Sequence, residues 1–131
     1  MTYLIDSDWI IDALADRAEA RETLDRLAPA GLAVSVVSLG EIYEGAFTSS
    51  NPSSTLSSFR DFLSPYPVIG LDDPIMEVFA QTRARLRALG QVIPDFDLLI
   101  AATALHRDFD LLSRNLKHFR RVPELRVLSS P

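Results

Sequence analysis

Five short apolar runs, TYLID (2–6), LAVSVVS (32–38), YPVIGL (66–71), FDLLS (109–113) and LRVL (125–128), alternate along this chain with stretches of helical spacing. Runs this short, most of them apolar on both faces, fit strands covered from two sides, and strands joined through helices pair in parallel. The expectation is therefore an α/β fold of three layers, α/β/α, with a central five-stranded parallel sheet. No internal repeat or linker interrupts the alternation, so residues 1–131 read as a single domain. A chain of that length removes roughly two-thirds of its unfolded surface from water, enough for one core.

The segments between the runs carry helical punctuation. SDWIIDALAD spaces Trp9, Ile10 and Leu14 for one face, and EARETLDRLA turns Leu24 and Leu27 inward before Pro29 and Gly31 close it. LGEIYEGAF is entered through Ser38. Between Thr48 and Ser58 eight of eleven residues are Ser or Thr, which reads as a mobile loop or a frayed start to the helix STLSSFRDFL. Asp72 or Asp73, with Pro74, opens a long helix reaching nearly to Gly90, with Ile75, Phe79, Leu86 and Leu89 inward. Asp95 or Asp97 begins the apolar helix of PDFDLLIAATAL, Asp95 serving as its N-cap after Pro94, and NLKHFRR forms a short last helix. Trp9, Ile42, Tyr43 and Phe47 are core candidates.

The chain has no cysteine, which excludes disulfides and thiolate metal sites. No apolar run approaches the length of a bilayer and MTYLIDSDWIID has no basic n-region, so the reading is a soluble, cytoplasmic protein without membrane association. A net charge of −5 argues at first against a nucleic-acid partner. The charge is unevenly placed, however. Residues 1–82 hold four basic residues and thirteen acids, and residues 83–131 hold nine and five, so the halves carry −9 and +4. A polyanion can approach the C-terminal side while acids elsewhere await cations.

Polar residues follow the apolar runs or open the helices: Asp6, Ser38 with Glu41, Asp97, and Ser113 with Asn115. In a parallel sheet the carboxyl ends of the strands share one edge, and ligands bind in the crevice at the topological switch point. Each residue alone is accounted for as a helix cap: Ser38 and Glu41 have capping-box spacing, Asp6 or Asp8 can open the first helix, and Asn115 the last. Capping does not require charge, however, and three carboxylates gathered at one edge repel. Relief comes from raised pKa values or a cation, and oxygen ligands without thiols select Mg²⁺ or Mn²⁺. Such a site suits phosphodiester hydrolysis, where metals activate water and stabilise the leaving oxygen without a catalytic His. His106 and His118 read as surface or packing groups.

Four stretches taken together, YLIDSDWIIDAL, VSVVSLGEIYEGA, IPDFDLLIAATAL and LLSRNLKHF, resemble the PIN-domain family and within it the VapC-like toxins of bacterial toxin–antitoxin pairs. The resemblance spans nearly the whole chain. It implies a Mg²⁺- or Mn²⁺-dependent endoribonuclease acting on RNA, built on a five-stranded parallel sheet. It also implies a homodimer held in check by a small antitoxin that binds DNA. Carried over residue by residue, the family's acids fall on Asp6, Glu41 and Asp97 as metal-binding and catalytic residues, and its fourth position, often Asp, is Asn115, a neutral ligand that makes the set three carboxylates and an amide. Ser113 stands in the place of a common Thr, and Ser7 and Asp8 where Thr and Asn are frequent. Ser7 then becomes a backbone-shaping or water-binding residue. Ser113, Arg114 and Lys117, with Arg120 and Arg121, become candidates for RNA phosphate contacts. Arg83 and Arg87 share a helix face open to a dimer contact or to solvent. Some of the apolar core candidates could instead line a groove for an antitoxin helix.

Two rival readings share the composition. A phosphoacceptor regulatory domain needs an Asp at the end of a central strand and a Lys after a later one; Asp72 follows the third run, but the only lysine is Lys117. A catalytically inactive module with the same fold would keep the partner groove and lose the metal, and Asn115 gives that reading its opening.

Overall fold

The computed structural model describes residues 2–130. Its strands are β1 (Tyr3–Ile5), β2 (Leu32–Ser35), β3 (Val68–Ile69), β4 (Asp110–Leu112) and β5 (Val127–Leu128), all parallel in one sheet ordered β3-β2-β1-β4-β5. Successive strand side chains face opposite layers. Leu4, Ala33, Ile69, Leu111 and Val127 therefore face one core, and Ile5, Val34, Leu112 and Leu128 the other.

The helices divide by the same rule. Helices α5 (Asp73–Ala88), α6 (Asp95–Arg107) and α7 (Leu116–Phe119) close the first core through Ile75, Leu86, Leu98, Ile100 and Phe119. The second is closed by α1 (Ser7–Leu14), α2 (Ala18–Leu27), α3 (Val36–Phe47) and α4 (Pro52–Leu63), through Trp9, Ile10, Leu24, Ile42 and Leu63. The expected three-layer α/β/α sheet is what forms. Helix α6 is buried on most sides, with Leu98, Ile100, Ala101, Ala102, Thr103 and Ala104 all inaccessible, and a helix apolar all round belongs inside a molecule. No helix among the described residues is long and apolar enough to cross a membrane.

Several boundaries differ from the sequence expectation, each for a local reason. LAVSVVS is strand only as far as Ser35, whose Oγ accepts from Val37 N–H at 3.1 Å and so starts α3 early. Ser38 is then a fully buried helical residue whose hydroxyl has no partner among the described residues, and it does not form the capping box expected with Glu41. The Ser/Thr-rich segment is helical from Pro52, because a proline in the first turn gives up no hydrogen bond. Leu89, expected inward, is 60% exposed because α5 ends at Ala88 and the period no longer applies. Phe47, at the last position of α3, is also exposed instead of core. The N-cap of α6 is Pro94; Asp95 is its first helical residue and pairs with Arg83 at 3.3 Å, which also turns Arg83 toward α6.

Candidate active site

Strands β1 and β4 run side by side with Ile5 opposite Leu112, so Asp6 and Ser113 emerge as neighbours at the carboxyl edge, and Asp6 N–H donates to Leu112 C=O at 2.9 Å. From there α1 turns into one layer and α7 into the other. That divergence is the topological switch point, where a crevice opens.

Asp6 is 6% exposed. Its Oδ1 accepts from Ser7 N–H at 2.8 Å and its Oδ2 from the Ser113 hydroxyl at 2.7 Å. Burial pushes its pKa up to about 6 against the opposing Ser113 hydrogen bond, and the charges of Asp8 and Asp97 push the same way. Glu41, in the second turn of α3, has its Oε1 3.5 Å from the Ser7 hydroxyl. Burial first, then the charges of Asp6 and Asp97, push its pKa up to about 7. These three carboxylates, 91 residues apart from first to last, thus repel one another across one crevice.

Asp97 is the third residue of α6. Its Oδ2 accepts from the Asn115 amide at 3.1 Å and lies 2.6 Å from Nδ1 of His118. Asn115 is anchored in turn by its backbone N–H, which donates to Ser113 Oγ at 3.0 Å. Sequence reasoning placed His118 among surface or packing groups, yet it is partly buried and touches a site acid. The signal available was its position, three residues after Asn115 in the short helix that follows β4.

The crevice therefore gathers Asp6, Glu41, Asp97, Ser113 and Asn115, with Ser7 alongside. Ser113 is fully buried and its hydroxyl is engaged by Asp6 and Asn115, so it supports the acids instead of facing a substrate. Arg114 turns back onto the protein: its guanidinium stacks 4.0 Å over the Trp9 ring and pairs with Asp12, while its backbone N–H donates to Asp8 Oδ2 at 2.8 Å. Burial leads in raising the Asp8 pKa, partly offset by the N–H groups of Arg114 and Trp9. Lys117 and Arg120 are exposed on or just after α7, and Arg121 donates to Val92 C=O at 3.2 Å. Asp72 lies elsewhere, after the edge strand β3, where its carboxylate caps α5 through Ile75 N–H at 3.0 Å. A phosphoacceptor needs the end of a central strand, so that reading loses its residue.

The donors at the crevice are carboxylate, amide and hydroxyl groups, a set that fits a hard divalent cation and not a thiophilic one. Burial first, and then the charge of neighbouring acids, raises the pKa values of Asp6 and Glu41, and a cation would offset both effects. Among the described residues no three Asp, Glu or His side chains close on a common point as they stand. The acids share the crevice without being drawn together, and one oxygen of Asp97 is already taken.

A family model described as the PIN domain matches residues 3–125. Over 129 residues the chain is 31% identical to Ribonuclease VapC2 of Haemophilus influenzae, with 97% of this chain and 96% of that protein covered. It is 25% identical over 127 residues to the tRNA(fMet)-specific endonuclease VapC of Salmonella typhimurium, with 97% and 96% covered. In three dimensions it matches a chain from the crystal structure of VapBC2 from Rickettsia felis bound to a DNA fragment from their promoter. The TM-score is 0.91 at 26% identity, over 98% of each chain.

Proposed function

The chain belongs to the PIN-domain family, alongside the VapC ribonucleases, and from that premise we propose that it is the toxin of a toxin–antitoxin pair. Its activity is that of a divalent-metal-dependent endoribonuclease of the cytoplasm, hydrolysing phosphodiester bonds in RNA. The observation that carries this reading is that Asp6, Glu41 and Asp97 face one crevice at the β1–β4 switch point, where burial and then the neighbouring acids raise the pKa values of Asp6 and Glu41.

A bound Mg²⁺ or Mn²⁺ supplies an activated water and positive charge against the leaving oxygen. Asp6, Glu41 and Asp97 are the residues that would hold it. Ser113 fixes Asp6 through its hydroxyl, and Ser7 keeps the Glu41 carboxylate near the crevice. Rigid placement of this kind is what a preorganised site requires. The exposed Lys117 and Arg120, in the half of the chain that carries +4, support contacts with RNA phosphates. Arg114, held over Trp9, works first as a brace for the turn that carries Asn115.

An antitoxin and a second copy of the chain are the partners proposed. A largely apolar groove of about 470 Å³ beside Glu41, lined by Val36, Leu71, Phe96 and Leu99, supports a covered surface near the site. Phe96 is 58% exposed in the single chain.

The test uses the purified chain free of any partner, incubated with RNA in Mn²⁺ or Mg²⁺, with cleavage ends mapped. Cleavage that disappears with a chelator, and falls by about a hundredfold or more in Asp97→Asn at unchanged circular dichroism, is the expected result. Absence of metal-dependent cleavage with every RNA class from the producing cell would leave the inactive-module reading in its place.

A further inference from the structure

We propose that His118, together with Asn115, is a positioning residue of the crevice: the two hold Asp97 by one oxygen, Oδ2, and so present the other, Oδ1, to the cation. The inference rests on reading Asp97 as a metal ligand.

Three polar atoms meet at one place. Nδ1 of His118 lies 2.6 Å from Asp97 Oδ2, the Asn115 amide nitrogen lies 3.1 Å from the same oxygen, and the two nitrogens are 3.0 Å apart. A carboxylate oxygen only accepts, so a contact of 2.6 Å requires the proton on Nδ1, and this fixes the ring's tautomer. The carboxamide orientation follows by the same reasoning, since turning its oxygen inward would set it against the carboxylate. Oδ1 of Asp97 has no hydrogen-bond or ion-pair partner among the described residues.

The clamp is itself anchored. Asn115 N–H donates to Ser113 Oγ, and that hydroxyl donates to Asp6 Oδ2, so a continuous chain of hydrogen bonds links Asp97 to Asp6. Phe119, fully buried beside His118 in sequence, fastens α7 to the core. His118 is thus set by packing on one side and by Asp97 Oδ2 on the other. Outer hydrogen bonds to ligating side chains typically change metal affinity by about tenfold to a hundredfold when removed. That is the effect expected of this ring.

The experiment uses the purified, partner-free chain and three variants. His118→Phe keeps the ring and removes the donor; His118→Asn places an amide N–H near the Nδ1 position; His118→Gln places it near Nε2. Mn²⁺ affinity by calorimetry or electron spin resonance is expected to weaken about tenfold to a hundredfold in His118→Phe. His118→Asn should recover most of that loss and His118→Gln should not. Equal affinity in wild type and His118→Phe, or equal recovery by Asn and Gln, would overturn the proposal. A second reading needs no metal: ¹⁵N-histidine NMR of the apo chain should find His118 in the Nδ1–H form, shifting toward Nε2–H in Asp97→Ala. If wild type binds no Mn²⁺, the metal reading fails, while the clamp on Asp97 stands or falls on this spectrum. An Nε2–H ring in the wild type sinks it.

Discussion

Burial holds Asp6 near a pKa of about 6 and Glu41 near about 7, so the folded chain keeps protons at pH values where the unfolded chain has released them. Proton uptake is then greater in the native state, and linkage makes stability fall as pH rises from about 4 through about 7. For Asp6 the shift corresponds to roughly 3 kcal/mol at most, while the more exposed Glu41 contributes less after screening by solvent. Glu41→Gln should accordingly raise the melting temperature at pH 8 by a few degrees and leave it unchanged at pH 4 in metal-free buffer. Thermal circular dichroism at the two pH values decides this, and an equal fall at both would mean that Glu41 contributes packing and not strain. Asp6, Glu41, Asp97, Ser113 and Asn115 were legible from the sequence because parallel strands send every carboxyl end to one edge. His118 was not picked out, although its place three residues after Asn115 sets the two on one side of a helical turn.

At the scale of elements, two serines three residues apart have opposite roles. Ser35 caps α3 through Val37 N–H, whereas Ser38 is inside the helix with a buried hydroxyl that has no partner among the described residues. Ser35→Ala should cost about 1 kcal/mol. Ser38→Ala should be neutral or stabilising, because it removes a desolvated group that gains nothing in return. Urea denaturation of the two variants distinguishes them, and the reverse ranking would restore the capping box that the sequence spacing suggested. Every strand and helix was visible in the apolar periodicity; the ends were not, because strand and helix patterns overlap in LAVSVVS and a short hydroxyl side chain fits either boundary. Helix α6 is the element on which Asp97 depends. Ala102 is fully buried on it, and Ala102→Leu should cost roughly 1–3 kcal/mol by overpacking, with RNA cleavage falling as the acid is displaced.

For the molecule as a whole, the alternation of short apolar runs was enough to give a parallel sheet between two helical layers, but the strand order β3-β2-β1-β4-β5 was not readable. Order depends on the direction in which each crossover returns, and the crossover from β3 carries the chain past both β2 and β1 before β4 is laid down. The same order gathers the acids into one crevice, so an ion there should stabilise the entire fold. At a hundredfold excess over its dissociation constant, Mn²⁺ should add about 2.7 kcal/mol and chelation should remove it. A melting temperature indifferent to Mn²⁺ up to millimolar concentration would mean that the native chain holds none. The crevice also closes on residues 107 positions apart, Asp6 and Ser113. On a ribosome adding about 5–20 residues per second, Asp6 waits about 5–20 s for its partner to be made. β4 is inserted beside β1 only then, and β5 completes the sheet last. A chain made only as far as β2 therefore lacks the β1–β4 edge at which Asp6 and Ser113 meet.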